Sequence, residues 1–318
     1  MKALALDMGG SHIACAVVDD DQILAHSVLE VEQAPGLAAL LDTLARVLNG
    51  LLQTAGLTAA DCAGIAIGFP GVVDFRTATI HSTLKKYEDA REMDLVHWCR
   101  DQFDLPLAME NDARMALLGE AFAGAARGHR DVTMMTLGTG IGGAALMHGV
   151  LVRGGHALAG CLGGHLTVDF QGRLCACGNI GCAEAEAGGW AIPAIAKDWP
   201  GFDRSILSSA PKIGFREVFV AAENGDSVAI ALRDRCIQVW SANAVANIHA
   251  YDPEIVIVGG GVMQSAGAIV PRMQEYVDRH AWPGPGGKPQ VRAAELGNEA
   301  GLLGAVPLLK ESLVHAKA

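Results

Sequence analysis

The chain has 318 residues, 51% of them hydrophobic, which is long for one core and enough apolar material for two ordinary domains. A formal net charge of −11 with no basic stripe excludes the electrostatic footprint of a nucleic-acid or anionic-membrane partner and leaves small molecules as the expected ligands. Of eight cysteines, Cys15, Cys62, Cys99, Cys161 and Cys236 are scattered, which fits a reducing, cytoplasmic setting, and Asp7 interrupts the apolar run that a secretion signal would need.

In chain order, Lys2 to Asp19 alternates apolar and small residues around Gly9-Gly10 and predicts a β-hairpin with a wide glycine turn, followed by a third strand near Ile23 to Glu30. Leucines and a valine from Leu37 to Leu52 recur at helical spacing and predict an amphipathic helix. Gly64 to Gly68 reads as a buried strand ending in Phe69-Pro70-Gly71, a rigid turn at a carboxyl end, where α/β sheets place ligands; Gly68 and Pro70 are candidate substrate contacts. A helix around Asp94 to Gln102 and a strand from Leu105 to Met109 precede Glu110-Asn111-Asp112, which opens a helix running to about Gly124.

The pattern then restarts. Val132 to Leu137, a glycine turn at Gly138 to Gly143, and Ala144 to Val152 echo the first hairpin. The uncharged run from Val132 to Val152 is long enough to span a membrane, yet its glycines and threonines read as two buried strands around a turn. Two such hairpins suggest a duplicated α/β architecture with a ligand between the halves. Beyond them, Pro193 to Gly214 reads as loop with short helices, Phe215 to Ala222 and Val228 to Ile248 as helices, and Ile255 to Val258 as a buried strand meeting Gly259-Gly260-Gly261. Asn298 is placed as the N-cap of a last helix through Leu309, interrupted at Pro307.

Between Ala159 and Glu186 one histidine and four cysteines sit in a glycine-rich segment too poor in apolar residues to hold itself by burial. Cys175, Cys177 and Cys182, with His165, offer three thiolates and an imidazole, a donor set that tetrahedral Zn²⁺ accepts, and Cys161 is left out of it. Asp7 ends the first strand beside Gly9, Gly10 and Ser11, whose backbone can meet a phosphate while the carboxylate suits Mg²⁺ directly or through water. Thr139 and Gly140 repeat that turn, and Gly260 and Gly261 add a third glycine loop. Each turn alone fits a plain hairpin; the three together fit a nucleotide, although none is a Walker A or GxGxxG sequence. Asn111 or Asp112 can simply cap a helix, or Asp112 can take a proton from a hydroxyl attacking a γ-phosphate.

The motifs DMGGSHIACAVVD, GFPGVVD, MEND, LGTGIGGA, GH followed by CxCGxxGCxE, and VIVGGGV resemble the ROK family of bacterial sugar kinases and sugar-responsive repressors over nearly the whole chain. The resemblance implies a duplicated actin-like ATPase (ribonuclease H-like) α/β fold, with two domains around a cleft that holds a sugar and ATP with Mg²⁺, often as a homodimer. The expected division is 1–112, with the C-terminal helix at about 299–318 packing back on it, and a larger domain, 113–298, carrying the zinc motif. By the same resemblance Asp112 is the general base toward a hexose hydroxyl, commonly the 6-hydroxyl, and Asn111, His165 and Glu184 contact the sugar. Asp7, Gly9, Gly10 and Ser11 form the first phosphate site, Thr139 and Gly140 the second, and Gly260 and Gly261 meet adenosine. His165 then has two duties, one ring nitrogen on structural Zn²⁺ and the other toward the sugar.

Some positions depart from the family pattern. Leu162 stands where the family commonly has a sugar-contacting glutamate, which argues against plain glucose as the best substrate. Ser11 replaces the usual threonine and His12 the usual lysine; Arg114, after the base, is read as a solvated helix residue in preference to an additional substrate contact. The alternatives to a kinase are a sugar-binding regulator of the same family, disfavoured because the first hairpin begins at Met1 with no preceding helix-turn-helix, and a kinase-like protein without turnover.

Overall fold

Lys2–Met8 (β1) and His12–Asp19 (β2) pair antiparallel from Lys2↔Asp19 to Met8↔Ile13, with Gly9 to Ser11 forming the turn between them. The computed structural model describes residues 1–31, 36–83 and 85–315. Gln22–Glu30 (β3) continues the meander, and its alternating exposure marks a sheet edge with one face in water. Helix α1 (Leu41–Thr54) packs its apolar stripe, Leu44, Leu48, Leu51 and Leu52, onto the sheet core beside Leu4, Leu6 and Ile13. Strand β4 (Ile65–Phe69) is buried throughout and lies parallel to β1. Gly71–Asp74 (β5) and Thr79–Thr83 (β6) form a separate hairpin. Helix α2 (Leu95–Phe103), capped by the Asp94 side chain on His97 N–H, leads to β7 (Leu107–Asn111) and then α3 (Asp112–Ala123).

The second half rebuilds the same sheet. Val132–Leu137 (β8), Ile141–Met147 (β9) and Val150–Leu151 (β10) form the meander. Short helices α4 (Ala183–Ala187) and α5 (Ile192–Lys197) precede α6 (Phe215–Glu223) and the long α7 (Ser227–Tyr251), whose N-cap Asp226 accepts from Ala229 N–H. Strand β11 (Ile255–Gly259), α8 (Ala266–His280) and β12 (Gln290–Ala293) complete it. The strand orders are β3-β2-β1-β4-β7 and β10-β9-β8-β11-β12. Numbered within each five-stranded sheet, both read third, second, first, fourth, fifth, so the duplication expected from two glycine hairpins extends to whole sheets, with the β5–β6 hairpin an addition to the first.

The chain then ends in α9 (Ala300–Leu303) and α10 (Ala305–His315). Asn298 lies inside a short 3₁₀ turn, Gly297–Glu299, and caps nothing. The interruption falls at Gly304, three residues before Pro307, whose missing N–H leaves the Leu303 carbonyl without its helical donor; an added Cβ on Gly304 would lie 1.9 Å from the Met115 carbonyl, so close packing on α3 requires glycine there. Pro307 sits in the first turn of α10, where a missing N–H costs little. The expected end of this helix at 318 lies beyond the described residues.

The chain divides into two compact units, Met1–Gly128 with Val152–Cys161 and Glu295–Ala318, and His129–Leu151 with Leu162–Ala294. This moves the expected boundary at 112: α3 belongs to the first unit, because it packs directly against α9. The buried carboxylate of Glu120, on α3, accepts from the backbone N–H groups of Ala125 at 2.8 Å, Leu296 at 2.9 Å and Glu295 at 3.2 Å. Among the described residues no helix is long and apolar enough to cross a membrane.

Candidate active site

In the first unit, the parallel register aligns Asp7 of β1 with Gly68 of β4 and Gly68 with Glu110 of β7, so three strand ends present their residues in one row. Asn111 and Asp112 follow at the step from strand to helix. An added Cβ on Gly68 would stand 3.5 Å from both Asp7 Oδ1 and the Asp112 Cα, so a residue without a side chain separates the two acids. Pro70 is buried in the next turn.

Burial drives both carboxyls up. Asp7 is raised to about 7, by desolvation first and by repulsion from Asp112 second. Asp112 is raised to about 6 by desolvation, held back by hydrogen bonds from Ala113 N–H and the Asn111 amide. Asn111 does cap α3, its Oδ1 accepting from Arg114 N–H at 3.2 Å. Its Nδ2 donates to the Gly71 carbonyl at 3.0 Å and to Asp112 Oδ1 at 2.8 Å. The helix cap and the candidate base therefore fall on adjacent residues.

Arg114 is not solvated. It is fully buried, paired with Glu110 at 3.0 Å, and donates to the carbonyls of Ala157 at 3.1 Å and Ala159 at 2.5 Å. Helical position alone does not reveal this, since its partners lie on β7 and on the segment Val152–Cys161. In the first glycine turn, Gly9 N–H bonds the His12 carbonyl and the Tyr87 hydroxyl donates to the Gly9 carbonyl. Ser11 Oγ lies 2.7 Å from His12 Nδ1, and His12 Nε2 lies 3.1 Å from Glu30.

In the second unit, His165, Cys175, Cys177 and Cys182 place their donor atoms within 4.8 Å of one another. His165 Nδ1 lies 3.6 Å from Cys175 Sγ, and Cys177 Sγ lies 3.6 Å from Cys182 Sγ. A tetrahedral zinc with sulfur at about 2.3 Å needs sulfur atoms roughly 3.8 Å apart, so the donor set fits the ion. Asn179 Nδ2 donates to Cys182 Sγ at 3.3 Å. Gly181, at φ 70°, is obligatory: an added Cβ would fall 1.4 Å from the Asp169 carbonyl. The short turn Gly163–His165 packs on β9, and its Gly163 carbonyl is held by Asn243 of α7. Leu162, just before it, is 38% exposed.

Glu184, at the start of α4, reaches the second glycine turn. Its Oε2 accepts from Ile141 N–H at 2.8 Å and its Oε1 from Trp190 Nε1 at 3.2 Å. An added Cβ on Gly140 would lie 2.4 Å from this carboxylate, so the turn closes on it only with glycine. Thr139 is exposed at the tip, with Trp190 N–H on its carbonyl. Gly260 and Gly261 open the turn after β11. Two adjoining cavities share Gly138 and Phe215: one of about 550 Å³ lined also by Thr139, Trp190, Lys197 and Lys212, the other of about 430 Å³ lined also by Gly261, Val262 and Phe219. Phe215, Trp190, Lys197 and Lys212 carry no motif that singles them out in the sequence.

Twin sheets of one order, each ending in a glycine turn beside an acid, define an actin-like ATPase fold. The chain belongs to the ROK family, whose model matches residues 3–312. It is 30% identical to a glucokinase of Thermotoga maritima over 321 residues, covering 98% of each chain. It is 29% identical to an N-acetylmannosamine kinase of Pasteurella multocida over 327 residues, covering 100% of each. Among solved structures, a ROK family glucokinase from Streptomyces griseus in complex with glucose and AMPPNP superposes with a TM-score of 0.81 at 30% identity, over 98% of this chain and 100% of that one.

Proposed function

We propose that this chain transfers the γ-phosphoryl group of ATP to the 6-hydroxyl of a hexose or hexose derivative, with Asp112 as general base. The chain is an ATP-dependent carbohydrate kinase; the acceptor hydroxyl and the base are the finer part of the reading. The observation that carries it is the recessed Asp112 carboxylate, near pKa 6 and beside the strand ends, with Oδ1 held by Ala113 N–H and Asn111. At neutral pH it is ionised yet basic enough to accept a hydroxyl proton. As that proton leaves, the sugar oxygen bonds the γ-phosphorus and the bond to the departing ADP breaks.

In the same reading Gly68, Pro70, Asn111, His165 and Glu184 bind the sugar. Asp7, Gly9, Gly10 and Ser11 take one end of the phosphate chain, Thr139 and Gly140 the other, and Gly260 and Gly261 the adenosine, with the cavity beside Phe215 as its seat. Asp7 would hold Mg²⁺ through water, which supplies charge neutralisation at the phosphates. Zn²⁺ on His165, Cys175, Cys177 and Cys182 is structural. Leu162 offers no acceptor to a sugar hydroxyl, which favours a derivative with an apolar or absent group there over plain glucose. A homodimer and a cytoplasmic location belong to the same proposal, and light scattering tests the first.

The test is a coupled ADP-release assay over hexoses, N-acetylhexosamines, anhydro-sugars and polyols, with Asp112→Asn beside wild type. Turnover should fall by about 10³-fold in the variant, within the range of general-base losses, with sugar and ATP binding retained. Sugar binding with no turnover on any acceptor by the wild type would remove the kinase reading, and near-normal rates in the variant would remove Asp112.

A further inference from the structure

Behind the Asn111–Asp112 step the first unit buries charged side chains that phosphoryl transfer does not use. Glu110 and Arg114 are fully buried and Arg153 is 7% exposed. Ion pairs taken out of water seldom add stability over apolar residues of similar volume, so stability is a poor account of them. Their geometry gives a better one. Glu110 Oε1 accepts from Asn111 N–H at 2.9 Å and from Arg114 Nη1 at 3.0 Å, while Oε2 accepts from Arg153 Nε at 2.6 Å. The other edge of the Arg153 guanidinium meets Glu311 of α10 with two parallel bonds, 2.5 and 2.8 Å, and its carbon lies 4.0 Å from the centroid of the Phe75 ring. Contacts from β7, α10 and the turn after β5 thus fix one guanidinium plane, which fixes Glu110 and the direction of Asn111 N–H. Asn111 in turn holds Asp112 Oδ1 at 2.8 Å.

We propose that Glu110 and Arg153 are positioning residues for Asp112, acting through Asn111, and that Glu311 braces them from the C-terminal helix. The proposal rests on the reading of Asp112 as base. A misplacement of about 1 Å at a reacting group can cost about 10²-fold in rate, so a loosened brace is measurable in kcat.

The experiment measures kcat, KM for both substrates and the pH profile of kcat in Arg153→Lys and Glu311→Gln, normalised to sugar-binding sites. Lysine keeps the charge beside Glu110 but has no planar fork to join it to Glu311. Expected are a fall in kcat of about tenfold for Arg153→Lys and about threefold for Glu311→Gln, with KM for ATP within about twofold. The acid limb of kcat should move to higher pH in both, because an Asp112 carboxylate that loses the hydrogen bond from the Asn111 side-chain Nδ2 is protonated more easily. Within the first unit the titratable groups facing Asp112 from other segments are Asp7 on β1 and Cys161, and both substitutions leave these in place. An unchanged kcat per binding site with an unmoved limb in Arg153→Lys, or in Glu311→Gln if the lysine variant does not fold, overturns the proposal. So does a loss confined to the number of binding sites, which marks a purely structural role. Asp112→Asn separates the two readings: if it keeps turnover the base assignment fails, and if it is inactive while the other variants behave as wild type only the positioning role fails.

Discussion

The two units carry the same sheet but secure their functional ends by different physics. At the end of β7 the chain is held by buried ions, Glu110 between Arg114 and Arg153, set among fully covered apolar residues. The segment after β10 cannot be held that way. Phe170, Leu174 and Ile180 are 82%, 71% and 48% exposed, so most of its large apolar residues face water, and four candidate metal ligands gathered within 4.8 Å would supply what packing does not. An ionic centre works where surrounding packing already exists to orient it; a metal site works where packing is missing, because its bonds supply both direction and energy.

Removing one partner from each centre should expose that contrast. Arg114→Ala leaves Glu110 buried with one cation fewer and should lower the stability of the first unit by about 3–5 kcal/mol, read as faster hydrogen exchange of β7 and α3 amides. Protection in β8 and β11 should change far less, and equal loss in both sheets would break the distinction. Chelation, or Cys177→Ser, should act the other way: metal analysis falls from about one zinc per chain, sugar binding weakens by about 10–100-fold, and β1, β4 and β7 stay protected. A purified chain that contains no zinc yet binds sugar normally would remove the metal half of the comparison.

A smaller effect follows from Asp7 and Asp112. Both titrate higher in the fold, at about 7 and about 6, than the usual 3.8 of an aspartate, so folding favours their protonated forms. The stability they permit is present below about pH 4 and is lost as pH rises through about 6 and then about 7. In metal-free and nucleotide-free protein, Asp112→Asn should therefore be more stable than wild type at pH 8, by about 1–3 kcal/mol, and nearly equal to it at pH 4. Thermal melts across that range check it. Last, His12→Ala should change stability by less than about 1 kcal/mol, because the Ser11–His12–Glu30 chain is exposed, and KM for ATP reports whether the imidazole touches the phosphate turn.

Local chemistry made much of this legible. Glycine turns flanked by alternating residues gave both hairpins, and three cysteines in eight positions pointed to the gathering of His165, Cys175, Cys177 and Cys182, because each signal is contained in a short stretch. Long-range effects stayed hidden. Arg114 reads as a surface residue from its own helix, and only the approach of Glu110 and of the carbonyls of Ala157 and Ala159 makes its burial possible. The need for glycine at 304, in the break of the last helix, comes from where α3 lies and not from the helix's own sequence. The hairpin β5–β6 and strand β12 are short, have little pattern of their own and are defined by what they pack against, whereas α8 carries a helical stripe, Ile269, Met273 and Val277, that the sequence does show.

Glu184 carries a consequence for changing the substrate. Its carboxylate already serves Ile141 N–H and the Trp190 indole while Gly140 presses against it, so any replacement redraws the second glycine turn along with the sugar contact proposed for it. A residue with two clients is a poor dial. Leu162 is 38% exposed, and it joins its turn through its backbone, the His165 N–H on its own carbonyl. On the proposed reading of Leu162 as a sugar-facing position, changing the sugar is cheaper by that route than through Glu184.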